Sequence, residues 1–412
     1  MRYIFVKLES LLLPALLNFG FVLLPLVFWP QAYIPYEIPK VWFVERWIQL
    51  LLVIGFTSLL IFKRKQQTDQ KIIIFTIAFS LIALLSSLVG SDLRKSIGGN
   101  YYRLDGLTTL FHLTSFSILL SLIWRQSWKR SIALAIVAGS TLTGMLSLID
   151  GFKLYILHDT SLSGWQGAIG STFGQPKFLT GYLLVTLPFA WYLAKKTSGY
   201  LRVLIYLAMA IQIGALFLTK SWAGVLIFLF LLFAFFWEKS FKYRKALVIG
   251  ALLLFFFAST LFVFTKQQKR NILQFQGKIV AEGRERIIRK LLLSVEKRPL
   301  LGWGWANVDY AFKASDWPIK FERDIYLDKA HSHFLEVLTT TGIIGLVSYV
   351  LLITFVIKRL LIDIKNRKSD VIWFKTLLVS FIVFIVHSQT NVISIGEEVM
   401  FWIIAGVAAT HS

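Results

Sequence analysis

The 412-residue chain is 56% hydrophobic and only 16% charged, with a mean hydropathy of +0.67. Soluble domains carry about 25% charged residues, so this balance excludes an ordinary soluble enzyme and points to a polytopic membrane protein. The net charge of +22 is spread between apolar runs rather than gathered on one domain, which argues against nucleic acid as a partner. Without cysteine there are no disulfides, thiolate metal sites or cysteine nucleophiles, and six histidines leave little for a metal centre.

In chain order, about twelve runs are long enough to cross a hydrocarbon core as helices of about 20 residues. They lie near 11–29, 43–62, 72–90, 106–124, 131–149, 177–194, 200–219, 222–237, 246–264, 333–357, 371–389 and 392–410. The first lacks a small-residue cleavage site and reads as a retained span rather than a signal peptide. Uninterrupted apolar runs, not alternation, favour helices over a barrel. The expected fold is an all-α integral membrane protein in one polytopic domain, 1–412.

Lysine and arginine set the orientation. With a cytoplasmic N-terminus, the inside segments hold 21 basic residues and the short outside segments hold 8. That bias puts both termini in the cytoplasm and the long loops 91–105, 150–176 and 265–332 outside. The last loop carries 14 basic and 8 acidic residues. Within it Ile287, Ile288, Leu291, Leu292 and Val295 fall at helical spacing, predicting an amphipathic helix from Arg284 to Lys297 that Pro299 ends. Such a helix suits either the bilayer surface or the tops of other helices. Its arginines suit phosphate oxygens, and equally a solvated face laced with ion pairs.

His331 stands where that loop re-enters the membrane, beside Ser332 and His333, with Glu336 near the start of the next helix. A histidine there can take a proton near neutral pH, as a sugar-hydroxyl nucleophile requires, or can simply cap the helix. Glu397 and Glu398, inside the last apolar run, are costly in lipid and should face the bundle, a cavity or an interface. His112 and His387 read as packing histidines bonded to neighbouring helices. Asp324 and Asp328, four apart, read as a solvated salt-bridge face. No Asp-x-Asp is present to hold a nucleotide sugar through a metal.

Four stretches together resemble the O-antigen ligase and polymerase superfamily. They are Tyr102-Arg103-Leu104-Asp105-Gly106-Leu107-Thr108; the stretch 170–183 with Gly174-Gln175-Pro176-Lys177; Gly283-Arg284 through Arg298-Pro299-Leu300-Leu301-Gly302-Trp303-Gly304; and His331-Ser332, nine residues, then Gly342-Ile343-Ile344-Gly345. They occur in order over about 100–345. The resemblance implies a GT-C-like membrane glycosyltransferase at the outer face of the cytoplasmic membrane. It would pass an undecaprenyl-diphosphate-linked glycan to a hydroxyl of a glycan, lipid or protein acceptor, with inversion and without metal or cofactor.

By the same resemblance His331 is the general base, and Arg284 engages the diphosphate, with Arg289 and Lys220 as further cations. Lys177, Arg103 and Trp303 are candidate substrate-binding groups, and Trp165, Trp305 and Trp317 further stacking candidates. One departure is that Trp222 stands where many members carry an arginine, leaving Lys220 as the nearest cation. A lipid-linked oligosaccharide flippase is the competing class; a surface polysaccharide polymerase or O-antigen ligase is favoured over a protein O-oligosaccharyltransferase.

Overall fold

The computed structural model describes residues 2–62, 67–158, 168–236, 272–275, 278–282, 284–315, 327–366 and 370–410. The helices are α1 (Arg2–Leu23), α2 (Glu37–Phe62), α3 (Gln70–Leu88), α4 (Leu93–Gly98), α5 (Leu107–Ile123), α6 (Lys129–Tyr155), α7 (Pro176–Lys196), α8 (Gly199–Leu218) and α9 (Trp222–Phe236). After them come α10 (Arg284–Lys297), α11 (Val308–Lys313), α12 (His333–Lys365), α13 (Val371–Ser388) and α14 (Ile395–Ala408). A short antiparallel ribbon, β1 (Ile272–Phe275) with β2 (Lys278–Glu282), precedes α10, an addition to the expected all-helical plan.

Seven of the described helices are long and apolar enough to cross a membrane: those within Glu37–Ile61, Gln70–Leu88, Gln126–Tyr155, Pro176–Lys196, Gly199–Leu218, His333–Lys365 and Val371–Ser388. Shorter apolar helices occupy Leu11–Leu23, Leu107–Ile123 and Trp222–Leu231. The expected run 246–264 lies outside the described residues. The chain therefore has the build of a multi-pass membrane protein. Many hydroxyls inside the spans bond back to their own helix, as Thr76 does to Ile72 (2.9 Å) and Thr186 to Tyr182 (2.9 Å), which satisfies them at lipid depth.

The last expected span is shorter than its apolar run. α14 has 14 residues, about 21 Å at 1.5 Å per residue, too short for a core of about 30 Å. Its start is fixed by a capping box, in which Ser394 Oγ and the Glu397 carboxylate each bond the other's backbone N–H. The expectation for Glu397 holds: it is fully buried, and its Oε1 meets His387 Nδ1 at 2.7 Å. His112, likewise, reaches Gln49 on a neighbouring helix at 2.8 Å. The central helix is α7, whose most apolar window is 94% buried against 22% for α8.

The two ends of the bundle are tied differently. At one end the chain closes through Asp69 N–H to Ala409 O (2.7 Å) and Lys196 to Asp370 (3.1 Å). At the other, the 299–304 loop enters a break in α12. Gly342 has φ +66°, so the helix loses its regular bonds there. The loop replaces them: Trp303 N–H and Gly304 N–H donate to Thr339 O (3.0 Å) and Thr340 O (2.9 Å), and Pro299 O accepts from Ile343 N–H (2.8 Å). Ser86 adds its hydroxyl to Leu301 O and Thr340 O.

No side chain fits at this crossing. A Cβ on Gly342 would sit 2.2 Å from Leu300 O, and one on Gly302, at φ +66°, 2.6 Å from Thr339 O. Gly342→Ala should therefore cost about 2–4 kcal/mol, through strain at positive φ together with a backbone clash. A thermal melt of the detergent-solubilised protein checks this: a clear drop is expected, and an unchanged midpoint would contradict the contact.

Candidate active site

His331 lies on the short segment that leads into α12. Its backbone is left-handed at φ +57°, a conformation that costs a non-glycine residue about 1–2 kcal/mol unless its surroundings impose it. The surroundings do so from both sides. Asp328 pairs with Arg103 Nε at 2.7 Å, and Lys329 Nζ reaches both Asp105 and Glu336 at 2.5 Å. Ser332 then caps α12 and donates its hydroxyl to Gln389 Oε1 (3.0 Å), which also accepts from Phe334 N–H (3.2 Å).

Arg103 and Asp105 can hold this segment because their own loop is closed on itself. Asn100 N–H donates to Asp105 Oδ1 (2.9 Å), while Arg103 N–H and Leu104 N–H both donate to Asn100 O (2.9 and 2.8 Å). A small cavity of about 20 Å³ lies beneath, lined by Glu37, Arg103, Asp105, Thr109, Lys329 and Glu398 among others. That is room for about one water. Burial disfavours charge on Lys329, yet Asp105 and Glu336 outweigh it and hold the ammonium ion well above its ordinary pKa. Asp105, desolvated but facing Lys329, stays below the usual carboxylate range.

Arg284, the first residue of α10, donates from Nη1 to Thr390 O at 2.9 Å, tying the amphipathic helix to the turn after α13. Lys177 follows the N-terminal Pro176 of α7, and its charge and that of Arg284 lie within mutual electrostatic reach. Both act on His331. Removal from water pushes the imidazole down to about 4; the Arg284 charge pushes the same way, Asp328 opposes, and Lys177 and Arg103 add to the fall. His331 is therefore neutral at physiological pH and sits among cations.

The other expected site residues fall elsewhere or take different parts. Arg103 is engaged by Asp328 and stands 5.2 Å over the Phe178 ring, so it holds the histidine segment rather than facing an open site. Asp328 is accordingly half of a long-range pair, not of a solvated face, and Asp324 lies outside the described residues. Arg289 is exposed on α10, five residues and about 140° around the helix from Arg284. Lys220 stands 5.0 Å over the Tyr155 ring. Neither is among the charges that act most strongly on His331.

Trp303 is a correction to the stacking idea. It is 9% exposed, its indole N–H donates to Ser294 O (3.0 Å), and the Arg298 guanidinium covers its ring at 4.5 Å. It packs with Ile287, Leu291, Val308 and Phe312, where a sugar has no free face to reach. Trp305 bonds inward to Asp105 O (2.9 Å), and Trp165 and Trp317 lie outside the described residues.

Sequence reasoning did not foresee the group of Asp105, Lys329, Glu336, Glu37 and Glu398. The available signal was charge at the edges of apolar runs, which in lipid marks a functional site or a paired network.

With this geometry in place, comparison with known proteins adds a class. The family model for O-antigen ligase matches residues 207–350. A ComP-specific O-oligosaccharyltransferase of Acinetobacter baylyi is 25% identical over 319 residues, covering 75% of this chain and 52% of that protein. The chain thus spans about half the length of the curated relative it matches. It is similar to O-antigen ligases over part of its length and to an O-oligosaccharyltransferase over much of it.

Removing Lys329 would leave Asp105 and Glu336 buried without their partner, which costs about 3–5 kcal/mol. Lys329→Met should lower the melting midpoint clearly, whereas replacing exposed Lys153 in the same way should change it little. Equal effects of the two would contradict the buried pairing.

Proposed function

We propose that the protein transfers a polyprenyl-diphosphate-linked glycan, in this reading undecaprenyl-linked, to an acceptor hydroxyl at the extracytoplasmic face of the cytoplasmic membrane. The observation that carries the proposal is the meeting of a neutral His331 with the Arg284 and Lys177 charges at one end of the bundle. In this reading both termini are cytoplasmic, the basic bias of the loops supporting that orientation. The bundle is then GT-C-like, with about twelve spans.

The acceptor hydroxyl gives its proton to the imidazole as its oxygen attacks the anomeric carbon from the face opposite the leaving group. The bond from that carbon to the diphosphate oxygen breaks, and configuration inverts. Arg284 and Lys177 face the negative charge that grows on the diphosphate, so fixed cations do the work that a metal would do elsewhere. A base held near 4 is weak, chiefly because it is removed from water, but bound diphosphate offsets the part of the depression that comes from Arg284, Lys177 and Arg103. The donor thereby strengthens the base that uses it. Arg289, Lys220 and Trp303 have no part in this step.

The acceptor remains a choice between a growing glycan, a lipid and a protein. The relative's name, which specifies a protein partner, gives weight to a protein hydroxyl. Glycan and glycoprotein analysis of cells lacking the chain decides among the three. A His331→Ala variant that inserts normally should yield no transferred product; undiminished product would refute the assignment.

The pH dependence follows from the same field. Free in solution, histidine titrates near 6.5. In the free protein His331 should titrate near 4, and its NMR titration should move up when Arg284→Gln removes a positive neighbour, or when inorganic diphosphate is added. Because the unfolded chain takes up this proton first, His331 contributes no penalty above pH 6.5 and erodes stability as pH falls from there towards 4. An unmoved titration in Arg284→Gln would contradict the placement.

A further inference from the structure

The loop that holds His331 has a second side. Residues 99–106 grip the histidine segment through Arg103 and Asp105, and the same loop carries Tyr101 and Tyr102 at its tip. Tyr101 is 57% and Tyr102 37% exposed, with ring centroids 3.8 Å apart and phenols hydrogen-bonded to one another. Tyr33, 92% exposed, comes from the turn between α1 and α2 and lies close enough to act electrostatically on Tyr101. Tyr101 and Tyr102 thus form an exposed aromatic pair, with the exposed phenol of Tyr33 in their neighbourhood.

We propose that Tyr33, Tyr101 and Tyr102 form a stacking platform for the saccharide portion of the substrate, a site that rests on the glycan-transfer reading above. Three observations favour a sugar over a lipid surface. The lipid-depth faces of the bundle expose aliphatic side chains, such as Val53, Leu60 and Ile74, whereas this patch pairs aromatic faces with hydroxyls. Pyranose rings need that combination: an apolar face to lie on and polar groups at its edge.

The tyrosines also stand on a preorganised loop. Tyr102 N–H donates to Asn100 Oδ1 (3.0 Å), next to the turn bonds that close the segment, so little ordering is lost on binding. Finally, the two expected stacking tryptophans among the described residues, Trp303 and Trp305, both turn their indole N–H groups inward. The platform is one residue from Arg103, and its loop is joined to the His331 segment through the Arg103–Asp328 and Asp105–Lys329 ion pairs. A sugar lying on it is held by the same element that sets the base.

The test uses the full chain in detergent and, as probe, free oligosaccharide released by mild acid from the lipid-linked pool of cells that make the protein natively. Saturation-transfer NMR reads its affinity. Tyr101→Ala with Tyr102→Ala should weaken binding about tenfold, the effect of losing a principal aromatic anchor. Tyr101→Phe, which keeps the ring, should stay within about twofold. His331→Ala should bind the saccharide normally while losing transfer, which separates failure of the platform from failure of the proposed reaction.

Unchanged affinity in the double alanine variant would overturn the proposal, and so would absence of binding by the unaltered protein. If that variant keeps its affinity but inserts poorly into membranes, the tyrosines belong to the lipid interface and the saccharide site is refuted.

Discussion

The structure depends on a backbone-to-backbone crossing between the 299–304 loop and the broken helix α12. A helix interrupted at Gly342 leaves carbonyl and amide groups that lipid cannot satisfy, and each would cost several kcal/mol if left open (about 2–7 by transfer measurements). The loop supplies the missing partners from Pro299 through Gly304, so neither piece is stable there without the other. This is why the described part of the large loop around 299–304 is docked, and why α10, which ends at Lys297, is delivered to the top of the bundle with Arg284 at its far end.

A second constraint acts on the histidine itself. Left-handed backbone at His331 persists because ion pairs hold the residues just before it, Asp328 to Arg103 and Lys329 to Asp105 and Glu336, and Ser332 caps the helix just after it. These charges are mostly buried, so they are weak evidence of net stabilisation but strong evidence of fixed geometry, since breaking one strands its partner. Geometry is what an acid–base group needs: a proton acceptor must be held to within a fraction of an ångström and a few tens of degrees. Burial first, and then the cations around the ring, keep it neutral; in the proposed reaction an anionic donor would offset the cations' share.

Much of this was legible in the residues. The spacing of Ile287, Leu291 and Val295 gave α10, with Pro299 just beyond its end, and the position of His331 beside Ser332 gave the helix start. Glu397 was legible too, because a carboxylate in an apolar run must find a partner. What could not be read was who that partner is. Asp328 meets Arg103 across 225 positions in sequence, and no local pattern encodes such a pairing. The same ignorance made Asp328 look solvated and Arg103 look available for substrate. The final apolar run misled for another reason: hydropathy records that 392–410 is buried, not whether lipid or protein buries it. α14 is enclosed by protein, and a helix shorter than its apolar run still carries the chain from the turn after α13 to Asp69 at the other end. Trp303 shows the converse, an aromatic on a loop that packing has already used.

The central geometric claim is that the start of α10 and the start of α7 meet at His331, while the Lys220 turn does not. The chain contains no cysteine, which gives paired cysteine replacements a clean background. Arg284→Cys and Lys177→Cys, each combined with His331→Cys in native membranes, should be joined by a short bifunctional thiol reagent. Lys220→Cys with His331→Cys should stay unlinked. A link from 220 with none from 284 or 177 would contradict the arrangement of the site.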